Sequence, residues 1–143
     1  MTSHKTAIRR TKISAPMKHL CDAGLLFGRM LDYGCGRGFD ADQFGMEKYD
    51  PYFCSSLPEG KFDVITCNYV LNVLEHDVQI ESVLKKIRGL LKDNGVAYIA
   101  VRRDVKKDGY THKMTYQRNV VLDLPVLTER KGKYTIYKID NGA

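Results

Sequence analysis

Apolar and polar positions along the chain alternate in blocks that predict strands and helices in turn. The run "FDVITCNYV", residues 62–70, is apolar and rich in β-branched side chains, and it predicts a buried strand. Apolar side chains then recur at helical spacing over 78–92, behind Asp77 as the expected N-cap. The turn residues at 93–95 end that helix and lead into a second apolar strand, "VAYIAVR", at 96–102.

Shorter elements of both kinds are predicted in the first third of the chain. A short helix is expected between Ser14, its N-cap, and Gly24, which suits a helix C-terminus. Its apolar face would carry Met17, Leu20 and Cys21. The strand "RMLDY" comes next, and a brief helix "FDADQFG" and a short strand ending near Asp50 follow.

The last third of the chain predicts a loop and a hairpin. Residues 102–118, "RRDVKKDGYTHKMTYQR", are polar and basic, which is typical of a long loop. The segments "NVVLDLPVL" and "YTIYKI" flank "TERKGK" as a hairpin. The alternation of strands and helices predicts an α/β fold with a mostly parallel sheet, to which the hairpin adds antiparallel strands. We expect one domain over 1–143, with a basic lead at 1–13.

Composition and charge exclude several classes of protein. No apolar window of about 18 residues exists, so no membrane span is expected, and the N-terminus lacks the apolar core of a secretory signal. The cysteines show neither a CxxC pattern nor metal-like pairing with histidine, which favours reduced thiols in the cytoplasm and no metal site. The formal net charge of +6 is compatible with an anionic partner.

Three glycines at alternate positions close the first predicted strand in "LDYGCGRG", residues 31–38. This spacing fits neither a P-loop nor the dinucleotide fingerprint, whose third glycine would stand at Phe39. An acid directly before the loop, Asp32, also suits a cation better than a pyrophosphate. The ligand that fits is S-adenosylmethionine, which carries a sulfonium, an ammonium and ribose hydroxyls but no phosphate.

An S-adenosylmethionine site would draw on three segments at the carboxyl ends of the predicted strands. Asp32 and the main-chain oxygens of the loop and of Cys67 would accept from the ammonium, and Asp50 would accept from the ribose hydroxyls. The predicted cofactor-binding residues are Asp32, Tyr33, Gly34, Cys35, Gly36, Gly38, Asp50, Pro51, Cys67 and Asn68. The alternatives are a structural acid at position 32 and a turn residue before proline at position 50.

These segments resemble the sequence motifs of class I S-adenosylmethionine-dependent methyltransferases. "LDYGCGRG" is similar to their first motif and "YDPYF" to the segment of their second-strand acid. "FDVITCNYVLNVLE" and "LLKDNGVAYIAV" resemble their fourth strand and the helix-to-strand junction after it, so the matches run in order from about residue 30 to 101. The resemblance implies a small, trimmed Rossmann-like methyltransferase sheet, S-adenosylmethionine as cofactor, and in-line methyl transfer without an assigned catalytic residue.

A narrower resemblance involves segments outside those motifs. The combination of "RTKISAP", "LDYGCGRG", "YDPYF", "NYVLNVLE" and "DGYTHKMTYQ" is similar to the methyltransferases associated with DNA phosphorothioation systems. This chain is shorter than members of that group and lacks most of the sequence that they carry after "TYQ". The resemblance implies a DNA-modification or defence context and leaves the substrate open.

The chain departs from the class I pattern between Asp50 and Asp63. Only about a dozen residues stand there in place of a helix, the third strand and an adenine-binding loop. No residue matches the acid that meets the adenine amine in the family, and Tyr52, Phe53 or Leu57 could cover the adenine ring instead. A sheet trimmed in this way is expected to need a homodimer or a larger complex to cover it.

The predicted acceptor site lies where the basic loop follows the strand beside the cofactor. Candidate substrate-binding residues are Tyr69, Arg102, Lys106, Lys107, Tyr110 and His112. Among acceptors, nucleic acid is favoured by the charges and the interleaved tyrosines, and a solvated basic face is the alternative. Asn68 could bind an amine and Tyr69 could stack on a planar substrate, or both could line the cofactor pocket.

Two other functions stay open at the level of sequence. The first is a protein that binds S-adenosylmethionine without methylating anything, as a sensor, a lyase-like consumer of the cofactor, or a subunit of a nucleic-acid modification complex. The second is a basic nucleic-acid-binding module in which the glycine loop is a relic. Binding of the cofactor would separate the second from the rest.

Overall fold

A computed structural model describes residues 11–110 and 115–141 of the 143 in the chain. Its helices are α1 (Ala15–Asp22), α2 (Phe39–Phe44) and α3 (Asp77–Leu90), and a 3₁₀ turn lies at Leu71–Val73. Its strands are β1 (Met30–Tyr33), β2 (Glu47–Tyr49), β3 (Phe62–Asn68), β4 (Leu91–Arg102), β5 (Gly109–Tyr110), β6 (Tyr116–Gln117), β7 (Val126–Arg130) and β8 (Tyr134–Asp140).

The strands of the described residues form one six-stranded sheet in the order β2-β1-β3-β4-β8-β7, and β5 pairs with β6 in a separate ribbon. Strands β2, β1, β3 and β4 are parallel, whereas β8 is antiparallel to both β4 and β7. The predicted Rossmann-like sheet with an antiparallel C-terminal hairpin is therefore confirmed. Because parallel strands end at one edge, β1, β2 and β3 deliver the glycine loop, Asp50 and Asn68 to the same side of the molecule.

Each face of the sheet carries its own apolar core. Helix α3 buries Ile80, Leu84 and Ile87 against one face, as its helical spacing predicts. Helix α1 buries Met17 and Leu20 against the other face, next to residues of α2. The prediction that Cys21 shares this buried face was wrong, because its side chain is exposed at the last turn of α1.

Both ends of α3 differ from the prediction. The N-cap is His76, and Asp77 is the first helical residue. The reason is Gln79, whose side-chain oxygen accepts from the His76 backbone N–H at 3.0 Å, a reciprocal bond that a cap at Asp77 could not form. The helix ends at Leu90, and Leu91 already pairs with Phe62 of β3.

The residues of the predicted turn at 93–95 lie inside β4, where they interrupt its regular pairing with β3. The register passes from Phe62↔Leu91 directly to Val64↔Val96, so the intervening residues bulge out of the sheet. Asn94 adopts a φ of 66°, and its N–H donates to the Asn141 carbonyl at 2.6 Å. The turn residues were recognised correctly, but they bend a strand instead of joining a helix to one.

The described residues of the segment 102–118 include two short strands that the prediction of a long loop did not contain. Strands β5 and β6 pair in it, and the rings of Tyr110 and Tyr116 meet edge to face at 5.4 Å between centroids. The first strand of the predicted C-terminal hairpin begins only at Val126, because the residues before it turn back toward β4, where Arg103 Nη1 donates to the Val120 carbonyl. No helix in the described part of the chain is long and apolar enough to cross a membrane.

Candidate active site

The glycine loop between β1 and α2 is tied to the end of β2. Gly34, Gly36 and Gly38 all have positive φ, at 82°, 57° and 87°, a conformation that glycine adopts at low cost. The Gly34 and Cys35 N–H groups both donate to the Tyr49 carbonyl, at 2.7 and 2.9 Å. These hydrogen bonds hold the start of the loop against the end of β2.

Glycine is also needed in this loop because the protein's own side chains pass close by. A Cβ on Gly34 would collide with Cγ2 of Val70, which follows β3. A Cβ on Gly38 would lie 2.8 Å from Cδ of Lys48, a flexible side chain that can move away. At position 34, packing within the chain as well as conformation excludes a side chain.

Asp50 forms the hydrogen-bonded centre of the site. Its Oδ2 accepts from the Gly36 N–H at 2.9 Å, and its Oδ1 accepts from Tyr52 and Phe53 N–H groups at 2.9 and 3.1 Å. A carboxylate offers about four acceptor positions, so three backbone bonds leave room for a ligand hydroxyl. Asp50 therefore organises the turn at Pro51, as the alternative for this position holds, and its contact with a ligand stays a prediction.

Asp32 is a buried acid held by the neighbouring strand. It is only 4% exposed, and its Oδ1 accepts from the Thr66 hydroxyl at 2.9 Å, across the β1–β3 register that sets the two residues opposite each other. Burial, and next the charge of Asp32, raise the pKa of the Cys35 and Cys67 thiols well above their ordinary value. Both thiols are therefore protonated near neutral pH and are not suited to act as nucleophiles.

A cavity of about 630 Å³ opens beside these groups. The predicted cofactor-binding residues that line it are Asp32, Tyr33, Gly34, Cys35, Gly36, Gly38, Asp50, Pro51 and Asn68. Cys67 does not line it and is fully buried in the core. Of the predicted substrate-binding residues, Tyr69 and Arg102 line the cavity, Lys106, Lys107 and Tyr110 do not, and His112 lies outside the described residues.

Several residues that sequence reasoning did not assign to the site also line the cavity. The polar ones among them include Ser14 and Asp40, the α3 residues Gln79, Ser82 and Lys86, and Gln117 of β6. Ser14 was predicted as an N-cap, and it does precede α1, but its N–H donates to Oδ1 of Asp40 at 2.9 Å. No local pattern marks these residues, because the folded chain brings them together from four separate segments.

Three of the lining residues have buried polar atoms without a hydrogen-bond partner. Among the described residues, these atoms are Ser14 Oγ, both Oδ1 and Nδ2 of Asn68, and Oε1 of Gln117. A buried polar group without a partner is costly, and in native proteins it usually finds a ligand or an ordered water. The cluster of such atoms at one cavity therefore indicates a binding site for a polar molecule.

Several side chains of the basic segment are bound within the protein. The Arg102 guanidinium binds Asp104 through two bonds of 2.8 and 2.7 Å, and Arg103 Nη2 donates to the Tyr137 hydroxyl at 2.8 Å. The Tyr110 hydroxyl donates to Glu75 at 2.7 Å, so this tyrosine is oriented toward the protein. These contacts engage two arginines and one tyrosine of the segment and leave the lysines at 106 and 107 exposed.

The residues around the cavity fit S-adenosylmethionine. The volume of the cavity lies in the range of about 300–1,000 Å³ that ligand sites occupy. Asp50 keeps an acceptor position for a ribose hydroxyl, and the acid of Asp32 suits a cationic group. No group of three or more His, Cys, Asp or Glu residues in the described ranges could hold a metal ion.

The comparisons with known proteins agree with this geometry. The family described as methyltransferase domain matches residues 6–130, whereas no curated protein sequence matches significantly. The 1,6-didemethyltoxoflavin-N1-methyltransferase of Burkholderia thailandensis superposes with a TM-score of 0.60 and 18% identity, over 90% of this chain and 78% of its own. That structure contains 1,6-didemethyltoxoflavin and S-adenosylhomocysteine.

Two further solved structures share the fold over most of both chains. The N-methyltransferase NodS of Bradyrhizobium japonicum WM9 gives a TM-score of 0.57 at 10% identity, covering 90% of this chain and 93% of its own. DhpI in complex with S-adenosylhomocysteine gives 0.58 at 14% identity, covering 90% and 85%. With the sheet, the glycine loop and the family match in agreement, the chain belongs to the methyltransferase domain family and is an S-adenosylmethionine-dependent methyltransferase.

Proposed function

We propose that this methyltransferase acts on a small polar molecule that enters the cavity beside the glycine loop. The observation that carries the proposal is the fold of the basic segment, which lines the cavity with Arg102 and Gln117 while its other arginines, at 103 and 118, bind groups of the protein. An acceptor that lies on a basic surface would need those charges free, because phosphate contacts dominate the affinity for nucleic acid. An acceptor inside a cavity needs only a few well-placed polar groups.

The residues of the chain would act by binding and orientation. The cofactor supplies an activated methyl group on a sulfonium. The glycine loop and Asp50 hold one side of the cavity, and Asn68 and Tyr69 lie at the end of β3 next to Asp32. Alignment of donor and acceptor in a site that excludes water supplies much of the rate in such a reaction, so a dedicated acid–base pair is not required.

Nucleic acid is the competing acceptor, and it is suggested by the narrower resemblance to methyltransferases associated with DNA phosphorothioation systems. Lys106 and Lys107 are exposed outside the cavity and supply the positive charge that this alternative needs. The small-molecule proposal is supported by the cavity and by a fold neighbour whose structure contains the small molecule 1,6-didemethyltoxoflavin. Both alternatives place the cofactor at the glycine loop.

The test follows the radioactive methyl group of S-adenosylmethionine into separated fractions of a cell extract. The purified chain is incubated with metabolites below about 1 kDa, with RNA, and with DNA that does or does not carry phosphorothioate linkages. Label in the small-molecule fraction alone is expected, and label in nucleic acid would overturn the proposal. Calorimetry with S-adenosylhomocysteine runs in parallel, and binding without transfer to any fraction would favour the non-catalytic alternative.

A further inference from the structure

We propose that Ser14, Asn68 and Gln117 form the subsite for the methyl acceptor and select a neutral molecule that presents both a hydrogen-bond donor and an acceptor. This inference rests on the proposed function, since it assigns the acceptor end of the same cavity. The three residues come from the start of α1, the end of β3 and β6, and all three line the cavity.

The chemistry of the partnerless atoms defines what the molecule must offer. Oε1 of Gln117 can only accept a hydrogen bond, so it calls for an N–H or O–H group on the ligand. Asn68 lacks partners at both Oδ1 and Nδ2, so it calls for a donor and an acceptor side by side, whichever way the amide is turned. The Ser14 hydroxyl, in a residue only 2% exposed, can serve in either direction.

Three charged groups that line the cavity form hydrogen bonds within the chain. Oδ1 of Asp40 accepts from the Ser14 N–H, and the Arg102 guanidinium is bound by both carboxylate oxygens of Asp104. Asp32 is bound by Thr66. The partnerless atoms themselves are amide and hydroxyl atoms, which a neutral amide-like group would satisfy, whereas a charged group would give up its hydration for neutral partners at these atoms.

Gln117 owes its place at the cavity to a fully buried asparagine in the 3₁₀ turn. Asn72 Oδ1 accepts from the Arg102 N–H at 2.7 Å, and its Nδ2 donates to the Arg118 carbonyl at 2.7 Å. The Arg118 N–H donates back to the Asn72 carbonyl at 2.8 Å. These bonds fasten β6 to the end of β4, so Asn72 is a positioning residue for the subsite.

The test uses the full chain saturated with S-adenosylhomocysteine and small probes of similar size. Uracil, 2-pyridone and nicotinamide are neutral and carry neighbouring donors and acceptors, whereas benzylamine and benzoate are charged. Binding is followed by the shifts of the side-chain amide resonances in a ¹⁵N-labelled sample. We expect the neutral probes to bind and to shift the Asn68 and Gln117 amides, and the charged probes to bind at least fivefold more weakly.

Two variants and one control give the assignment to residues. Ser14→Ala and Gln117→Leu are each expected to weaken the neutral probes about five- to tenfold, the effect of one lost hydrogen bond. Gln43→Leu, on the exposed side of α2 and away from the cavity, should leave them unchanged. The affinity for S-adenosylhomocysteine, which should stay within about twofold in every variant, shows that each is folded.

The outcomes separate this inference from the function on which it rests. If S-adenosylhomocysteine itself does not bind, the proposed function fails. If it binds while charged probes bind as tightly as neutral ones, or while Ser14→Ala and Gln117→Leu leave the probes unaffected, the subsite is assigned wrongly and the methyltransferase stands. If Gln117→Leu does not fold, the Ser14→Ala variant and the amide shifts of the wild-type protein decide.

Discussion

Asp50 binds three backbone N–H groups of the site and is the predicted acceptor for the ribose of the cofactor. Replacing it with asparagine keeps the shape but sets an amide nitrogen against one of the three N–H groups that the carboxylate binds. We expect Asp50→Asn to weaken S-adenosylhomocysteine at least tenfold and to destabilise the fold by about 1–3 kcal/mol, because a part-buried donor loses its acceptor. Calorimetry and urea unfolding measure the two effects.

Asp42 supplies the matched control for that change. It is an acid on the neighbouring helix α2, and its carboxylate forms an exposed ion pair with Lys48 at 2.8 Å. Exposed pairs contribute about 0–1 kcal/mol, so Asp42→Asn should affect neither measurement appreciably. Equal effects at the two positions would mean that Asp50 has no special place in the site.

Substitution of Gly34 tests whether the packing of Val70 excludes a side chain from the glycine loop. Gly34→Ala should cost about 1–2 kcal/mol for its positive φ and about 1–3 kcal/mol more for the collision with Val70. Adding Val70→Ala should recover the second part, as measured by urea unfolding. Gly45→Ala, which has a φ of 63° and nothing within 4 Å, shows the conformational part alone. Without recovery in the double variant, the close approach to Val70 is not what excludes a side chain.

The sequence allowed part of the site to be predicted at this scale. Asp32, the glycines and Asp50 stand in one short stretch, so their pattern was visible without the fold. Ser14 and Gln117 are separated by about a hundred residues, and neither has a neighbour that signals a shared cavity. The role of Asn72 was invisible for the same reason, since its partners lie in strands formed by distant parts of the chain.

At the scale of elements, the docking of β6 depends on two backbone groups that Asn72 satisfies. Asn72→Ala leaves the Arg102 N–H and the Arg118 carbonyl without those bonds, at about 1–3 kcal/mol each if they stay dry. Hydrogen exchange should accelerate in 103–118 and stay slow in β8. Asn119→Ala breaks only bonds within the segment, to Asp108 and Val105, and should have a smaller effect. Equal exchange in both variants would contradict the docking role.

The entry to β1 offers a second test at this scale, with a control only four residues away. Gly24 and Gly28 have nearly the same φ, 70° and 68°, but a Cβ on Gly28 would collide with the carboxylate of Asp63. That carboxylate accepts from the Arg29 N–H at 2.7 Å, a bond that lowers the pKa of Asp63 and joins β1 to β3. In thermal unfolding, the Gly28→Ala variant should have a clearly lower midpoint temperature than the Gly24→Ala variant. Similar midpoint temperatures would contradict the proposed clash.

The elements themselves were predicted better than their ends. The buried runs of β3 and β4 and the helical spacing of α3 are strong local patterns, and each element exists where the pattern placed it. The end of α3 was misplaced because the apolar Leu91 suits the buried side of a helix as well as that of a strand. Its pairing with Phe62 of β3 makes it the first residue of β4. The ribbon of β5 and β6 was missed because two-residue strands leave no periodicity to detect.

For the molecule as a whole, buried protonated groups set how stability depends on pH. Burial raises the pKa of Tyr33 to about 12 and raises those of Cys35 and Cys67 as well. In the unfolded chain thiols titrate near 8.5 and tyrosine near 10, so above those values the native state holds more protons than the unfolded state. Stability is therefore fully present below about pH 8.5 and falls as the pH rises past it.

Urea unfolding at pH 7, 8.5 and 10 measures this dependence. The free energy of unfolding should decrease across the last interval, and Cys67→Ala should make the decrease smaller by removing one titrating group. A free energy that rises with pH over this range would contradict the assignment of buried, protonated thiols. The predicted homodimer or larger complex stays a prediction, which sedimentation of the purified chain would test.

The position of β8 in the sheet has a consequence for how the protein is made. Strand β4 leaves the ribosome with β3 already available on one side, but its other side is covered only when β8 pairs with it in antiparallel register. Until then the apolar run at 96–101 is an open edge, which attracts other chains. Nascent chains halted before residue 134 should therefore be the form of this protein that chaperones hold.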